Sequence, residues 1–405
     1  MNREFAAYFI ARQTSLLAFS IEDVAVGWQI FQLRHSALDL GLVGLVLFLP
    51  QLLLALPAGV LADRADRRAI VIATLLAAAA GLGVFIGLIQ LRVHSVGVYL
   101  AAVAFIGIAH SMGIPAQRAL LVNIVPGDRF VRAQALTSSI GQLVLIAGPA
   151  LGGALIALGT PFAFGAAACA YVLATAASTF LRRHLVEYKD APALRAALDG
   201  VRFIFAQRVI LGAISLDLFA VLFGGATALL PIFATSILHV GPTGFGMLRA
   251  APALGAAAVA AYVARRSLGR GAGRLLLLCV AGFGAATIVF GLSRSFLISL
   301  CALALTGAFD MVSVVIRTAL VQLRTPNEMR GRVGAVENVF IGASNELGAF
   351  ESGGVAALVG ARASVVLGGV ATLVVIALWT LLFPELQHFD VTERSSAAGK
   401  PEHAP

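Results

Sequence analysis

A few ionisable residues interrupt otherwise apolar stretches of this chain: Glu22 and Asp23, Asp217, Arg249, Asp310 and Arg317, then Glu337, Glu346 and Glu351. Groups of this kind are costly at membrane depth and face a cavity, a partner or a neighbouring helix. The chemistry open to a carboxylate there is proton exchange. Desolvation favours the neutral form, which brings proton uptake and release into the physiological range and lets a protonation event be tied to a second event. Glu22 shares a seven-residue stripe with Ser15 and Gln29, whereas Asp23 points about 100° away, so Glu22 is the expected cavity-facing member of the pair. Glu337, Ser344 and Glu351 recur at seven-residue steps, as do Asn338, Asn345 and Ser352, and together they form one polar helix face. Glu346 lies about 100° beyond Asn345 and looks toward a different neighbour. Asp310 and Arg317 are on one face but roughly 10 Å apart along the axis, too far to bond each other directly. Arg249 requires an acidic neighbour such as Glu351, or an anionic substrate group.

The candidates for proton coupling are therefore Glu22, Asp23, Asp310, Glu346 and Glu351, and those for a cavity or substrate contact are Gln29, Arg249, Asn338 and Asn345. Beside each stands a plainer reading, a hydrogen-bonded brace between helices, and Arg317, Asp217 and His110 fit that role best. Enzymatic chemistry finds no support: there is no HExxH, GxSxG, Walker or dinucleotide motif, and the seven histidines lack ligand spacing. No metal or cofactor is expected. Cys169, Cys279 and Cys301 fall inside apolar runs, where a thiol acts as a small hydrophobe.

Those charges must be positioned by membrane helices. Of the 405 residues, 60% are hydrophobic and 12% charged, a balance that excludes a cytoplasmic globular protein. The apolar residues gather into runs long enough to cross a hydrocarbon core of roughly 30 Å. Breaks at glycine, proline and charge clusters place twelve spans at about 5–33, 39–61, 69–90, 96–121, 130–158, 162–182, 209–237, 243–264, 274–292, 296–322, 332–358 and 363–384. Of the 29 lysines and arginines, Arg34, Arg92, Arg294 and Arg362 fall on one side and Arg249 inside span 8; the remaining 24 lie on the side of the N terminus. By the positive-inside rule both termini are cytoplasmic. The net charge of +9 thus concerns topology, and its dispersal over short loops argues against nucleic acid.

The longest polar segment separates six spans from six, so the chain divides into an N-terminal bundle (1–182), a cytoplasmic linker (183–208), a C-terminal bundle (209–388) and a disordered tail (389–405). At an offset of 200, Pro126 pairs with Pro326, Asp128 with Glu328, Arg132 with Arg332, Gly148 with Gly348 and Gly153 with Gly353. An even helix number per half makes these parallel repeats about an axis along the membrane normal.

The loop after span 2 reads Gly59-Val-Leu-Ala-Asp63-Arg64-Ala-Asp66-Arg67-Arg68. With two six-helix halves, it resembles the signature loop of the major facilitator superfamily, G-x-x-x-D-x-x-G-R-R/K, with Asp66 where a second glycine is usual. Span 5 carries Gly148-Pro149-Ala150-Leu151-Gly152-Gly153, similar to the motif of that superfamily's exporters and proton antiporters. Gly27-Trp28-Gln29, Pro115-Ala116-Gln117-Arg118 and Phe340 to Gly348 resemble the branch that includes the enterobactin exporter. The resemblance implies a gating loop in which Asp63 pairs with Arg118 and the start of span 11 in the outward-facing state, Arg64, Arg67 and Arg68 flanking it. It also implies a cavity lined by spans 1, 4, 7 and 10.

The expected molecule is an all-α, twelve-span secondary transporter of the bacterial inner membrane, a monomer among lipids. It would export an amphiphilic small molecule, siderophore or drug-like, against protons. Solute uptake is the nearest alternative, and a non-transporting receptor or scaffold on the same fold a more distant one.

Overall fold

The computed structural model describes residues 3–182, 193–263 and 271–390. Six long helices form the first half: α1 (Arg3–Arg34), α2 (Ala37–Arg64), α3 (Arg67–Gln90), α4 (Val96–Ile124), α5 (Gly127–Leu158) and α6 (Thr160–Thr179). A shorter helix, α7 (Ala193–Ala206), precedes the second half. There α8 (Arg208–Phe223), a 3-10 turn at Ala226–Leu229, α9 (Leu230–Ile232) and a π segment at Phe233–Ile237 make one broken crossing. It is followed by α10 (Gly241–Val263), α11 (Ala272–Leu292), α12 (Phe296–Arg324), α13 (Asn327–Val359), α14 (Ala361–Leu382) and the short α15 (Pro384–Gln387). Among the described residues, eleven helical crossings are long and apolar enough to span a membrane. The 33-residue α13 holds the remaining place in the order and carries the polar face read from the sequence. Leu53, Leu143, Leu297 and Leu381 are among many large apolar side chains left more than half exposed, a surface suited to lipid.

The spans run as expected, with two informative shifts. Both α5 and α13 begin several residues early, because Pro126 and Pro326 stand as their N-caps with nearly identical backbones (φ −56°, ψ 148° and φ −57°, ψ 150°). Proline lacks an N–H and suits a helix start, so the matched pair marks equivalent corners of the two repeats. Part of the segment expected as linker is helix: α7 buries Ile204 in the core of the second half, sets Gly200 against the backbone of Arg332 and pairs Asp199 with Arg332 at 3.1 Å. Residues 183–192 of that linker and 391–405 of the expected tail lie outside the described residues.

Both ends of the described chain lie on one face of the bundle, here called the terminal face; the helix ends near residues 35, 93, 159, 239, 294 and 360 form the far face. The two halves meet unevenly. One continuous core runs through the first half and into the far ends of the second, including Leu229, Phe245, Leu248, Phe290 and Ala356. The terminal-side core of the second half, with Ile214, Leu276, Ile316 and Val333, is separate. The far ends are closed on each other, whereas on the terminal side the apolar core of the second half is not continuous with that of the first.

Candidate functional site

Glycine spacing explains how the far ends close. A Cβ at Gly153 of α5 would sit 2.8 Å from Gly246 Cα of α10, and one at Gly41 of α2 would sit 3.1 Å from Gly353 Cα of α13. Gly153 and Gly353 are equivalent in the two repeats, so each half contributes the same close approach to the other. The rest of the span 5 motif faces inward: Gly148 packs on Ser20 and Gly152 on the backbone of Ile21, both on α1. Pro149 is buried within the same helix. Trp28 stacks on Phe245 across the halves with ring centroids 5.7 Å apart.

Just inside this seal lies an ion pair between halves. Arg249 of α10 holds one carboxylate oxygen of Asp23 on α1, with Nη2 at 2.7 Å and Nε at 2.9 Å from Oδ2. Glu346 of α13 is within electrostatic reach of both. The partner of Arg249 is therefore Asp23 and not Glu351, which accepts a hydrogen bond from Ser352 at 3.3 Å. Asp23 meets Arg249 of the second half, whereas Glu22 is turned into its own bundle.

There Glu22 is 6% exposed. The Tyr171 hydroxyl of α6 donates to Glu22 Oε2 at 2.6 Å, His110 Nε2 of α4 lies 3.0 Å from the same hydroxyl, and His110 Nε2 is 3.6 Å from Glu22 Oε2. A water-accessible cavity of about 160 Å³ reaches His110 and Tyr171 past Phe19, Thr74, Gln117 and Arg118. Its polar wall is braced by Arg12, whose Nη1 donates to Gln117 Oε1 at 2.8 Å, and Gln117, which donates to Ser15 at 2.9 Å. Gln29, a cavity candidate from the sequence, is set beside Tyr99 inside the first half. Tyr171 was not among the sequence candidates, and no spacing rule links it to Glu22, 149 residues away.

The second half holds its own cluster. Arg317, 3% exposed, pairs with Asp217 of α8 and lies 3.5 Å from Glu337 Oε1 of α13. Asp310, about two turns away on the same face of α12, adjoins a small void with Asp217 and Ser313 but does not bond the arginine. The exposed Asn338 and Asn345 each donate back to their own helix, to Gly334 O at 2.7 Å and Ile341 O at 2.9 Å.

In the loop after α2, Asp63 is 68% exposed and lies 3.4 Å from Arg67, not against Arg118 or the start of α13, whose Arg332 is held by Asp199. The contacts that the resemblance implies for Asp63 are thus not made in this structure. Arg67 also donates to Ala62 O at 2.9 Å, and Arg68 to Thr179 O at 2.6 Å, tying the ends of α2 and α6. Asp66, standing where the superfamily loop usually has glycine, caps α3 by accepting from Arg68 N–H at 3.0 Å.

Two parallel six-helix halves that meet at one end around buried charges define a membrane transporter of the major facilitator superfamily. The chain matches the MFS_3 family, described as transmembrane secretion effector, over residues 1–404 and belongs to it. It is 29% identical to the enterobactin exporter EntS of Citrobacter koseri over 95% of this chain and 93% of that protein. The same protein of Escherichia coli K12 is also 29% identical, over 96% and 94%. Among solved structures, the nucleoside transporter NupG superposes with TM-score 0.76 at 12% identity, covering 94% of this chain and 100% of that one. A bacterial homologue of the lysosomal transporter Spinster, inward-facing and unoccupied, gives 0.73 at 16%, covering 95% and 97%. Family membership agrees with the lack of catalytic motifs.

Proposed function

We propose that this protein exports an amphiphilic small molecule, of siderophore or drug-like character, by proton antiport through alternating access. It does so as a monomer in the bacterial inner membrane with both termini cytoplasmic. The terminal face is then cytoplasmic, and the state described here is open to the cytoplasm. Export is favoured by the relatives named as enterobactin exporters and by the glycine-proline motif of α5, orientation by the basic loops on the terminal face.

The observation that carries proton coupling is the Glu22–Tyr171–His110 network at the end of a water-accessible cavity. It is hydrogen-bonded in either protonation state. With Glu22 ionised, Tyr171 donates to it and accepts from the His110 Nε2–H tautomer; with Glu22 protonated, the carboxyl proton turns to Tyr171, whose own proton turns to His110. A proton can therefore bind and leave without orphaning a polar group. A substrate held between the halves is released when the far ends part, and the return step is set by the proton.

The test is transport into inverted vesicles across a panel of siderophores and lipophilic drugs, with and without an imposed pH gradient. The expected result is gradient-driven accumulation of at least one compound, lost in Glu22→Gln with equilibrating exchange retained. Gradient-driven loss of compound from the vesicles would instead support uptake, and equal accumulation without a gradient would exclude proton coupling.

A further inference from the structure

Arg249 presents a problem that the proposed cycle must solve. Its carboxylate partner, Asp23, sits on the opposite half, so any opening of the far face pulls the two apart and leaves a guanidinium without that partner at membrane depth, an expensive state. The pair is not fully buried: its side chains keep 28% and 34% exposure even though the Trp28–Phe245 stack and the Gly153–Gly246 approach close the bundle just beyond. Along α1, Leu16 and Phe19 continue from Asp23 toward the terminal face, Phe19 being 43% exposed. An apolar and aromatic strip thus leads to one accessible cationic fork.

We propose that Arg249 is the binding residue for an anionic group on the substrate, with the strip of Leu16 and Phe19 taking its apolar part, and that the ligand anion replaces Asp23 on the guanidinium. The substrate class is then an amphiphile with a carboxylate or comparable oxyanion. A planar guanidinium presents its donors as a fork that matches two carboxylate oxygens at once. Asp23 gives it only one oxygen, shared by Nη2 and Nε, so a ligand that brings both improves on the resident pair. Exchange also removes a tie between the halves at the face that must open, which makes loading and release of the far-side seal one event. Glu346 and Asp23 together repel the anion, and that repulsion keeps Arg249 from trapping it. This inference rests on the transport reading above, but its test measures binding alone.

The full chain, purified in detergent and carrying Trp379→Phe so that Trp28 is the single tryptophan reporter, is titrated with 4-phenylbutyrate, 4-phenylbutyramide and 4-phenylbutylammonium. The anion is expected to bind at least tenfold more tightly than the amide, Arg249→Gln to abolish that preference, Arg249→Lys to retain part of it, and Asp23→Asn to bind the anion more tightly. Should Arg249→Gln unfold, Asp23→Asn/Arg249→Gln removes both charges and tests the same preference. Equal binding of anion and amide, tighter binding of the ammonium, or an anion preference that survives without Arg249 would overturn the assignment. Export could still be found in the vesicle assay in any of those cases.

Discussion

The two halves each bury charge beside a helix near the membrane centre, and they do it in opposite ways. In the second half one guanidinium is enclosed: Arg317 is held by Asp217 and Glu337 from two other helices, with almost no room for water beside them. In the first half one carboxylate, Glu22, is held by a phenol and an imidazole, and a cavity leads to that group. A permanent cation with fixed partners has no cheap alternative state, so it braces α8, α12 and α13. A carboxylate among neutral partners has two, because a proton can be exchanged for a rearranged hydrogen bond. The fold is symmetric in its corners and in its closing glycines, but the phenol and imidazole around a buried carboxylate, on which the proposed proton exchange rests, belong to the first half.

The largest expected effect follows from the enclosed cation. Arg317→Gln leaves Asp217 and Glu337 buried without it, and removing one member of such a cluster costs about 3–5 kcal/mol. Thermal unfolding in detergent should show a strongly lowered Tm or failure to accumulate folded protein, with part of the loss recovered in Arg317→Gln/Asp217→Asn. Glu22→Gln should leave Tm within a few degrees of wild type. If the two single variants are equally stable, the contrast between brace and exchangeable site is wrong.

A second test concerns the cycle and not stability. Asp63 is exposed in this structure; under the latch role that the resemblance implies for it, Asp63→Asn should insert and fold normally while transport falls by at least tenfold. The population should move toward the state described here, since only the other state contains the lost contacts. A cysteine at Asn338, exposed in this state, should then be labelled more heavily than in the wild-type background. Unchanged labelling together with unchanged transport would remove the latch role of Asp63.

These contrasts were only partly legible in the sequence. Spans and repeat symmetry could be read because hydropathy and the Pro126 and Pro326 corners are local signals, and the shared polar face of α13 followed from seven-residue spacing. Spacing says which residues share a face; it does not say what that face meets. The acidic neighbour of Arg249 is therefore Asp23 and not Glu351, and Gln29 is set beside Tyr99 of its own half, neither of which spacing along one helix can tell. The capping bond between Asp66, where a second glycine is usual, and Arg68 depends on where α3 starts, which spacing in the loop does not tell. Tyr171 was unreadable for the same reason: an aromatic residue in an apolar run looks like lipid-facing bulk until the helix it meets is known.

Tyr171 also supplies the finest test of the comparison. Tyr171→Phe keeps the ring that packs at 2% exposure and removes only the hydroxyl, which donates to Glu22 and faces His110. A hydrogen bond to an ionisable partner is worth about 1.5–3 kcal/mol, but His110, already 3.6 Å from Glu22, can take over part of it. The expected loss of gradient-driven accumulation is therefore about three- to tenfold, smaller than for Glu22→Gln. The informative variant is the double one. If the hydroxyl acts only through the carboxylate, Glu22→Gln/Tyr171→Phe is no worse than Glu22→Gln alone, and the two effects are strongly non-additive. If they instead add in full, Tyr171 serves packing or another partner. Glu22 would then stand as an isolated buried acid, without the relay that sets it apart from the enclosed cluster of the second half.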